Sequence, residues 1–347
     1  MRGIWKELHP WIEQKKRFAL ATVTKTWGSA PRGVGSTMAI SDKMEVIGSV
    51  SGGCVEGAVI EAAMEVLESD TPRHLSFGVS DETAWSVGLT CGGKIKVFVE
   101  PHLSLATSPP EKAVWRALKS TLEENGTGIL ITRLSAETYS HAFVSNDDSV
   151  EGTPPSDFQQ LLPLLKKMFM NRESGEIEWR SEPLFIQSIP ARSRLLIVGA
   201  AHISIPLVKF ARELDFEIVV IDPRKIFATT ERFPSPPDQI LPLWPEEAFQ
   251  QLVLNEDTYA VLLTHDPKID DPALHILLRS PVSYIGALGS QKTHQKRVKR
   301  LREAGFSDEE IKRIHAPVGL DIQAKTPEEI AISILGEIVK VRRSPRG

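Results

Sequence analysis

Cysteine is scarce in this chain: 347 residues contain only two, Cys54 and Cys91. Two thiols do not make a disulfide framework. They also cannot supply the four thiolates that an iron–sulfur cluster normally takes within one chain. Long apolar runs are missing as well, none approaching the ~20 residues that cross a bilayer. The opening stretch, Met1 to Leu8, lacks the apolar core of a signal peptide. The expectation is therefore a cytoplasmic protein without a membrane partner. Excess charge of either sign is absent too, since 41 basic against 45 acidic residues leave a formal net charge of -4. That balance gives no electrostatic reason to expect a nucleic acid. Even the most basic stretch, Lys292 to Arg302, reads as the wet face of a helix. Hydrophobic and charged contents of 41% and 25% are ordinary for a globular protein, and the length predicts two domains.

What is present is glycine beside each cysteine. Gly48-Ser49-Val50-Ser51-Gly52-Gly53-Cys54-Val55-Glu56-Gly57 leads into a helical pattern, and Gly88-Leu89-Thr90-Cys91-Gly92-Gly93 repeats the setting. Glycine lets backbone N–H groups approach a ligand, and the first N–H groups of a helix have no internal partner. A thiol at such a helix start has a lowered pKa, so Cys54 reads as a reactive thiolate or soft metal ligand; the alternative is a small apolar filler in a tight turn. Around it, periodicity predicts a helix over 3–16, a strand from Phe18 to Thr24, a hairpin about Ser41-Asp42-Lys43, a helix from Val55 to Leu67 and strands at His74 to Phe77 and Lys94 to Val99. Trp27 to Ser36 is a loop dense in turn residues and carries Arg32. A middle section follows, with helices near 111–124 and 158–170 and strands at 128–132, 141–144 and 177–189, where no chemistry is visible. Pro190 ends the last of these strands, which sets the expected boundary between residues 1–189, an α+β domain, and 190–347.

Beyond Pro190, strands and helices alternate, the mark of a parallel, helix-covered sheet. The strand Arg194 to Val198 is followed by Gly199-Ala200-Ala201-His202-Ile203-Ser204 and a helix, and then by a strand, Glu217 to Ile221, with Asp222 at its end. This is the order of a Rossmann-like dinucleotide-binding unit: glycine turn, helix N-terminus for pyrophosphate, acid for the ribose. Ala201, however, stands where the fingerprint has its second glycine. Asp222 is open to a second reading as a cap of the turn before Pro223, with Arg224 as its surface partner or as a phosphate ligand. Gly286 to Ser290, including Gly289, reads as a second glycine turn at the same edge. His202 and His265 lie near that edge and are open to structural or catalytic readings. Asp270 and Asp271, before Pro272, read as helix caps rather than as metal ligands with His265 and Asp266.

The ordered set Thr22-Val23-Thr24, Gly28-Ser29-Ala30-Pro31-Arg32, the two cysteine loops, Gly199 to Ser204, Val220 to Arg224, Arg232-Phe233-Pro234, Tyr284 to Ser290, His315 to Ile322 and Thr326 to Ala331 resembles the XdhC/CoxI family of xanthine dehydrogenase accessory proteins. The resemblance implies a cytoplasmic, dimeric chaperone that binds molybdenum cofactor (molybdopterin). Such a protein serves while an oxo ligand is exchanged for sulfur, and it passes the cofactor to an apo xanthine dehydrogenase of purine catabolism. A cysteine desulfurase is the implied sulfur donor. By the same resemblance Cys54 touches molybdenum or sulfur and is the catalytic and metal candidate, Cys91 is second, as its partner or as packing, Gly52, Gly53 and Gly92 contact the cofactor, and Arg32 answers its phosphate or is a surface arginine. Gly199, His202, Asp222 and Gly289 are the candidates in the second domain. The rival reading is an NAD(P)-dependent oxidoreductase using the second domain. A third, that the chain is itself part of xanthine dehydrogenase and carries its redox centres, has too few cysteines.

Overall fold

The computed structural model describes residues 1–53, 55–78, 93–135 and 139–344. The chain forms two compact units, Met1–Ala191 and Arg192–Gly347.

The first unit opens with α1 (Trp5–Glu13). This helix is shorter than its 3–16 pattern because Lys15, at φ 53, turns the chain out of it. Five strands and one helix follow: β1 (Phe18–Trp27), β2 (Thr37–Ser41), β3 (Val46–Gly48), α2 (Glu56–Ser69), β4 (Arg73–Phe77) and β5 (Lys94–Pro101). The strands make an antiparallel sheet in the order β3-β2-β1-β5-β4. Alternation along β1 does the sorting: Ala19, Ala21 and Val23 pack under Val59, Ala63 and Val66 of α2, while Phe18 and Leu20 face Leu8 on the other side. Gly48 must be glycine, since its φ is +80 and a Cβ there would lie 2.4 Å from the Thr37 carbonyl oxygen.

The middle section builds a second antiparallel sheet. Its elements are α3 (Pro109–Glu123), β6 (Gly128–Arg133), β7 (Ser140–Ser145), β8 (Val150–Gly152), α4 (Phe158–Met170), β9 (Gly175–Trp179) and β10 (Glu182–Ile189), with strand order β8-β7-β6-β10-β9. Leu161, Leu165 and Met168 of α4 cover Ile129, Ile131 and Ile186. The single strand expected over 177–189 is a hairpin. Arg180 and Ser181 both have positive φ, 49 and 64, the backbone of a two-residue turn matched to strand twist, here without the usual glycine.

The second unit comprises β11 (Arg194–Val198), α5 (Ser204–Glu213), β12 (Glu217–Ile221), β13 (Gln239–Leu241), α6 (Pro245–Phe249), β14 (Thr258–Leu262), α7 (Pro267–Leu277), β15 (Tyr284–Ala287), α8 (Gln291–Glu303), α9 (Asp308–Ile311), β16 (Ile314–His315) and α10 (Pro327–Arg343). All its strand pairs are parallel. Their order, β13-β12-β11-β14-β15-β16, is 3-2-1-4-5-6 counted within the unit, the Rossmann order, which reverses between β11 and β14. One face packs Leu196, Val198 and Leu262 against Leu274 and Leu277 of α7. The other packs Ile197, Val220 and Val261 against Leu207 and Val208 of α5 and Ile334 and Ile338 of α10.

Two details differ from the sequence reading. Gly286 and Ala287 belong to β15, so the turn is Leu288 to Ser290; a Cβ at Gly286 would sit 2.5 Å from Val318 and 2.8 Å from the Tyr284 ring. Helix α7 starts at Pro267 with Asp266 as its cap, accepting from the Lys268 N–H at 2.9 Å, and Pro272 lies inside it. Among the described residues no helix is long and apolar enough to cross a membrane.

Candidate functional site

Two loops meet in the first unit. The Trp27 to Ser36 loop leaves β1 and is pinned back on it at its far end, where Gly35 N–H donates to the Val23 carbonyl at 2.8 Å and Val23 N–H to Ser36 at 2.9 Å. Its tip lies against the glycine loop: a Cβ on Gly52 would be 3.9 Å from Pro31. Ser29 of the same loop is close to Gly93, whose Cβ would fall 2.7 Å from the Ser29 carbonyl oxygen. The fold thus brings Arg32, Gly52 and Gly53 into one neighbourhood, with the residue after Gly92 beside them. Cys54, Cys91 and Gly92 lie outside the described residues.

The backbone amides of the glycine loop already have an anion. Glu56, the first residue of α2, turns its carboxylate back into the loop and accepts from Ser51 N–H at 3.0 Å, Gly52 N–H at 2.9 Å, Gly53 N–H at 2.8 Å and Val55 N–H at 3.2 Å. The hydroxyls of Ser49 and Ser51 add bonds of 2.7 and 2.6 Å. Gly52 and Gly53, at φ 90 and 123, supply the left-handed backbone that aims these N–H groups inward. Burial opposes ionisation of Glu56, yet the hydrogen bonds from Ser51, Ser49 and the loop amides outweigh it and hold its pKa at about 2. The loop therefore arrives shaped, with Glu56 as its internal lock. Sequence reasoning passed over Glu56 because an acid in the first turn of a helix is usually only a dipole partner; the signal was its position three residues after two adjacent glycines, at the start of the helix.

Arg32 is exposed and lines a cleft of about 450 Å³ with Gly3, Glu7, Gly35, Gly48 and Ser49. Its guanidinium forks are available to an oxyanion such as a phosphate.

In the second unit, Gly199, His202, Asp222 and Gly289 all stand at the carboxyl edge of the parallel sheet, where ligands of such sheets bind. Gly199 has φ +110, and a Cβ there would be 2.7 Å from Thr264 after β14, so this glycine serves loop packing. His202 is exposed in the turn before α5, and Gly289, at φ +135, precedes the cap Ser290 of α8. Asp222 is fully buried. Its carboxylate accepts from Ala200 N–H at 2.8 Å and from Arg224 through N–H, Nε and Nη2 at 2.9, 2.9 and 2.8 Å. Burial opposes its ionisation, but these bonds hold its pKa below the ordinary carboxylate range. With its oxygens so committed, Asp222 fastens the glycine turn to β12 and is not free to accept from a ribose. Asp222→Ala should leave the Ala200 N–H buried without a partner and cost about 1–3 kcal/mol, read as a lower urea midpoint; unchanged stability would contradict this role. Nearby, Asp270 accepts from Thr264 Oγ1 at 2.5 Å, and Asp271 pairs with Arg300.

These features define a class: a two-unit α/β protein in which an acid-locked glycine loop beside an open arginine precedes a Rossmann-type sheet. Residues 11–78 match the XdhC and CoxI family, and residues 195–338 match the XdhC Rossmann domain. It is 26% identical over 334 residues to a Bacillus subtilis protein whose name makes it a probable xanthine dehydrogenase subunit, covering 96% of this chain and 95% of that protein. It is also 26% identical over 328 residues to the Escherichia coli molybdenum cofactor insertion chaperone PaoD, covering 94% and 84%. A crystal structure from Bacillus halodurans, described as a xanthine dehydrogenase, superimposes with a TM-score of 0.81 at 26% identity, covering 100% of this chain and 97% of that one.

Proposed function

We propose that this protein binds molybdenum cofactor and assists its insertion into an apo enzyme of the xanthine dehydrogenase type, as a carrier rather than a turnover catalyst. The observation that carries the reading is the likeness, along 94% of the chain, to a protein named as a molybdenum cofactor insertion chaperone. The chemistry of the first unit supports it. A thiolate such as Cys54 suits a thiophilic metal centre, and Arg32 offers an exposed fork for an oxyanion of the cofactor. Because Glu56 fills the amide nest, the oxyanion is held by side chains. Exchange of the oxo ligand for sulfur, a cysteine desulfurase as sulfur donor, and a homodimer belong to the same proposal. Against the nicotinamide alternative stands the committed carboxylate of Asp222.

Molybdenum and pterin content, measured on protein purified from a cofactor-producing host, tests this. Wild type should be loaded, and Cys54→Ala should carry at least about tenfold less, the equivalent of about 1.4 kcal/mol of lost binding. Both proteins empty, under conditions where an acceptor enzyme fills, would end the carrier reading.

A further inference from the structure

The outer end of β1 differs in burial from the rest of the strand. Up to Thr24 the strand is buried, and then Lys25 and Trp27 emerge exposed. The change comes from a bulge: Val23 pairs with Val97, but Lys25 pairs with Lys96, so Thr24 is the extra residue, held by its hydroxyl to Glu176 at 2.6 Å. Bulges re-aim side chains in this way. Beyond the bulge Lys25 stands directly opposite Lys96, and Trp27 directly opposite Lys94. Like charges directly opposite in an antiparallel ladder destabilise it.

Both opposed ammonium groups lie over the Trp27 ring, Lys25 Nζ at 5.1 Å and Lys96 Nζ at 5.9 Å from its centroid, where the ring quadrupole attracts them. Glu176 reaches Lys96 at 3.4 Å. Among the described residues neither Lys25 nor Lys94 pairs with a carboxylate. Trp27 itself is 41% exposed, a large aromatic surface left to water at the end of a well-packed sheet. Its place is specific as well. Gly93 precedes Lys94, and the Lys94 side chain runs 3.0 Å from where a Cβ on Gly78 would be. The platform thus sits at both roots of the segment that carries Cys91.

We propose that Trp27, with Lys25, Lys94 and Lys96, is the binding platform for a planar, anionic heteroaromatic ligand, a pterin phosphate whose ring stacks on the indole and whose phosphate meets the lysines. The identity of the ligand rests on the carrier reading above; the platform itself rests on the bulge, the opposed lysines and the exposed indole. An exposed aromatic face gives stacking energy, and compact ammonium groups on flexible stems can swing from the indole to a phosphate. The cost of opposing two lysines is then recovered when the anion binds.

The test uses the full chain and a fluorescent probe, neopterin monophosphate, with neopterin and GMP beside it. Wild type should bind the pterin phosphate in preference to GMP. Trp27→Leu should weaken that binding by about tenfold or more, and Trp27→Phe by less. Lys25→Gln combined with Lys94→Gln should weaken pterin phosphate binding and leave neopterin binding unchanged. Lys25→Gln alone should melt no lower than wild type, an outcome a purely structural lysine would not give. Binding by Trp27→Leu equal to wild type overturns the platform, and so does GMP binding as tightly as the pterin phosphate. Molybdenum cofactor delivery to an acceptor enzyme is measured separately. Delivery by wild type with a normal Trp27→Leu variant removes the platform and leaves the carrier, whereas Trp27-dependent pterin binding without any molybdenum carriage removes the carrier and leaves the platform.

Discussion

His141→Leu should cost the first unit about 3–5 kcal/mol, because it leaves two carboxylates facing a buried apolar group. His141 lies on β7 with its side chain fully buried. Its Nε2 is 2.9 Å from Glu100 of β5, its Nδ1 is 2.7 Å from Glu111 of α3, and its backbone N–H donates to the same Glu111 at 2.9 Å. The Tyr139 hydroxyl donates to Glu100. One imidazolium thereby ties the two sheets of the unit to each other and to α3. Burial pulls its pKa down, but the Glu100 charge and the bonds to both carboxylates prevail and raise it to about 9.

A raised histidine contributes stability that is complete below its unfolded pKa, ~6.5, and that is lost as pH rises through about 9. The loss amounts to roughly 3 kcal/mol across that window. His102 acts in the opposite direction. Burial and then the His141 charge lower its pKa to about 3, so the neutral ring favours the folded state above ~6.5 and that contribution is lost as pH falls. Thermal melts from pH 4 to 10 should therefore peak near pH ~6.5. In His141→Leu, Tm should fall by roughly 10 °C, with a flattened alkaline limb. A wild-type curve that is flat between pH ~6.5 and ~9.5 would rule out the charged imidazole.

Glu56→Ala should reduce molybdenum cofactor loading by at least about tenfold while leaving the sheet of the first unit folded. The carboxylate is the shared acceptor of four loop amides and two serine hydroxyls. Without it, Gly52 and Gly53 regain the wide backbone freedom of glycine, and the loop beside Pro31 loses its shape. Glu56→Gln separates charge from shape: a carboxamide replaces one acceptor oxygen by a donor and opposes the N–H groups aimed at it, so it should behave more like Ala than like Glu. Hydrogen exchange at Gly52 and Gly53 should rise in both variants. The depressed pKa predicts that the lock contributes fully above pH ~4.5 and fails only as pH falls through about 2. Normal loading in both variants, or loop exchange no faster than in wild type, would show that the lock has no bearing on the site.

Local pattern was enough for the strand–helix alternation after Pro190, the glycine turn at Gly199 and the hairpin about Ser41-Asp42-Lys43 in the first unit. Each is written in residues adjacent along the chain: branched apolar runs for β11, β12 and β14, and 3.6-residue spacing for α2 and α5. β13 and β16 escaped notice because strands of three and two residues carry no period. The full 3-2-1-4-5-6 order depends on them, and it is a property of pairing between distant segments. The family motifs were readable for the same reason that the turns were, since glycine, proline and cysteine in fixed local spacing leave a mark that needs no partner.

The chemistry of the sites belongs to the other category. That Asp222 faces inward is decided by Arg224 and Ala200 converging on it from two turns. That the glycine loop is occupied is decided by a carboxylate folding back across the start of α2. That Trp27 faces water is decided by a one-residue bulge against β5, which no alternation in β1 announces. The amino acids alone state which elements the chain can form and which residues are reactive, because propensity and periodicity act over a few neighbours. Which of those residues remain open to a ligand is settled by how hydrogen bonds and charges are spent between segments far apart in sequence, since each buried donor or carboxylate takes the nearest partner the packed fold supplies.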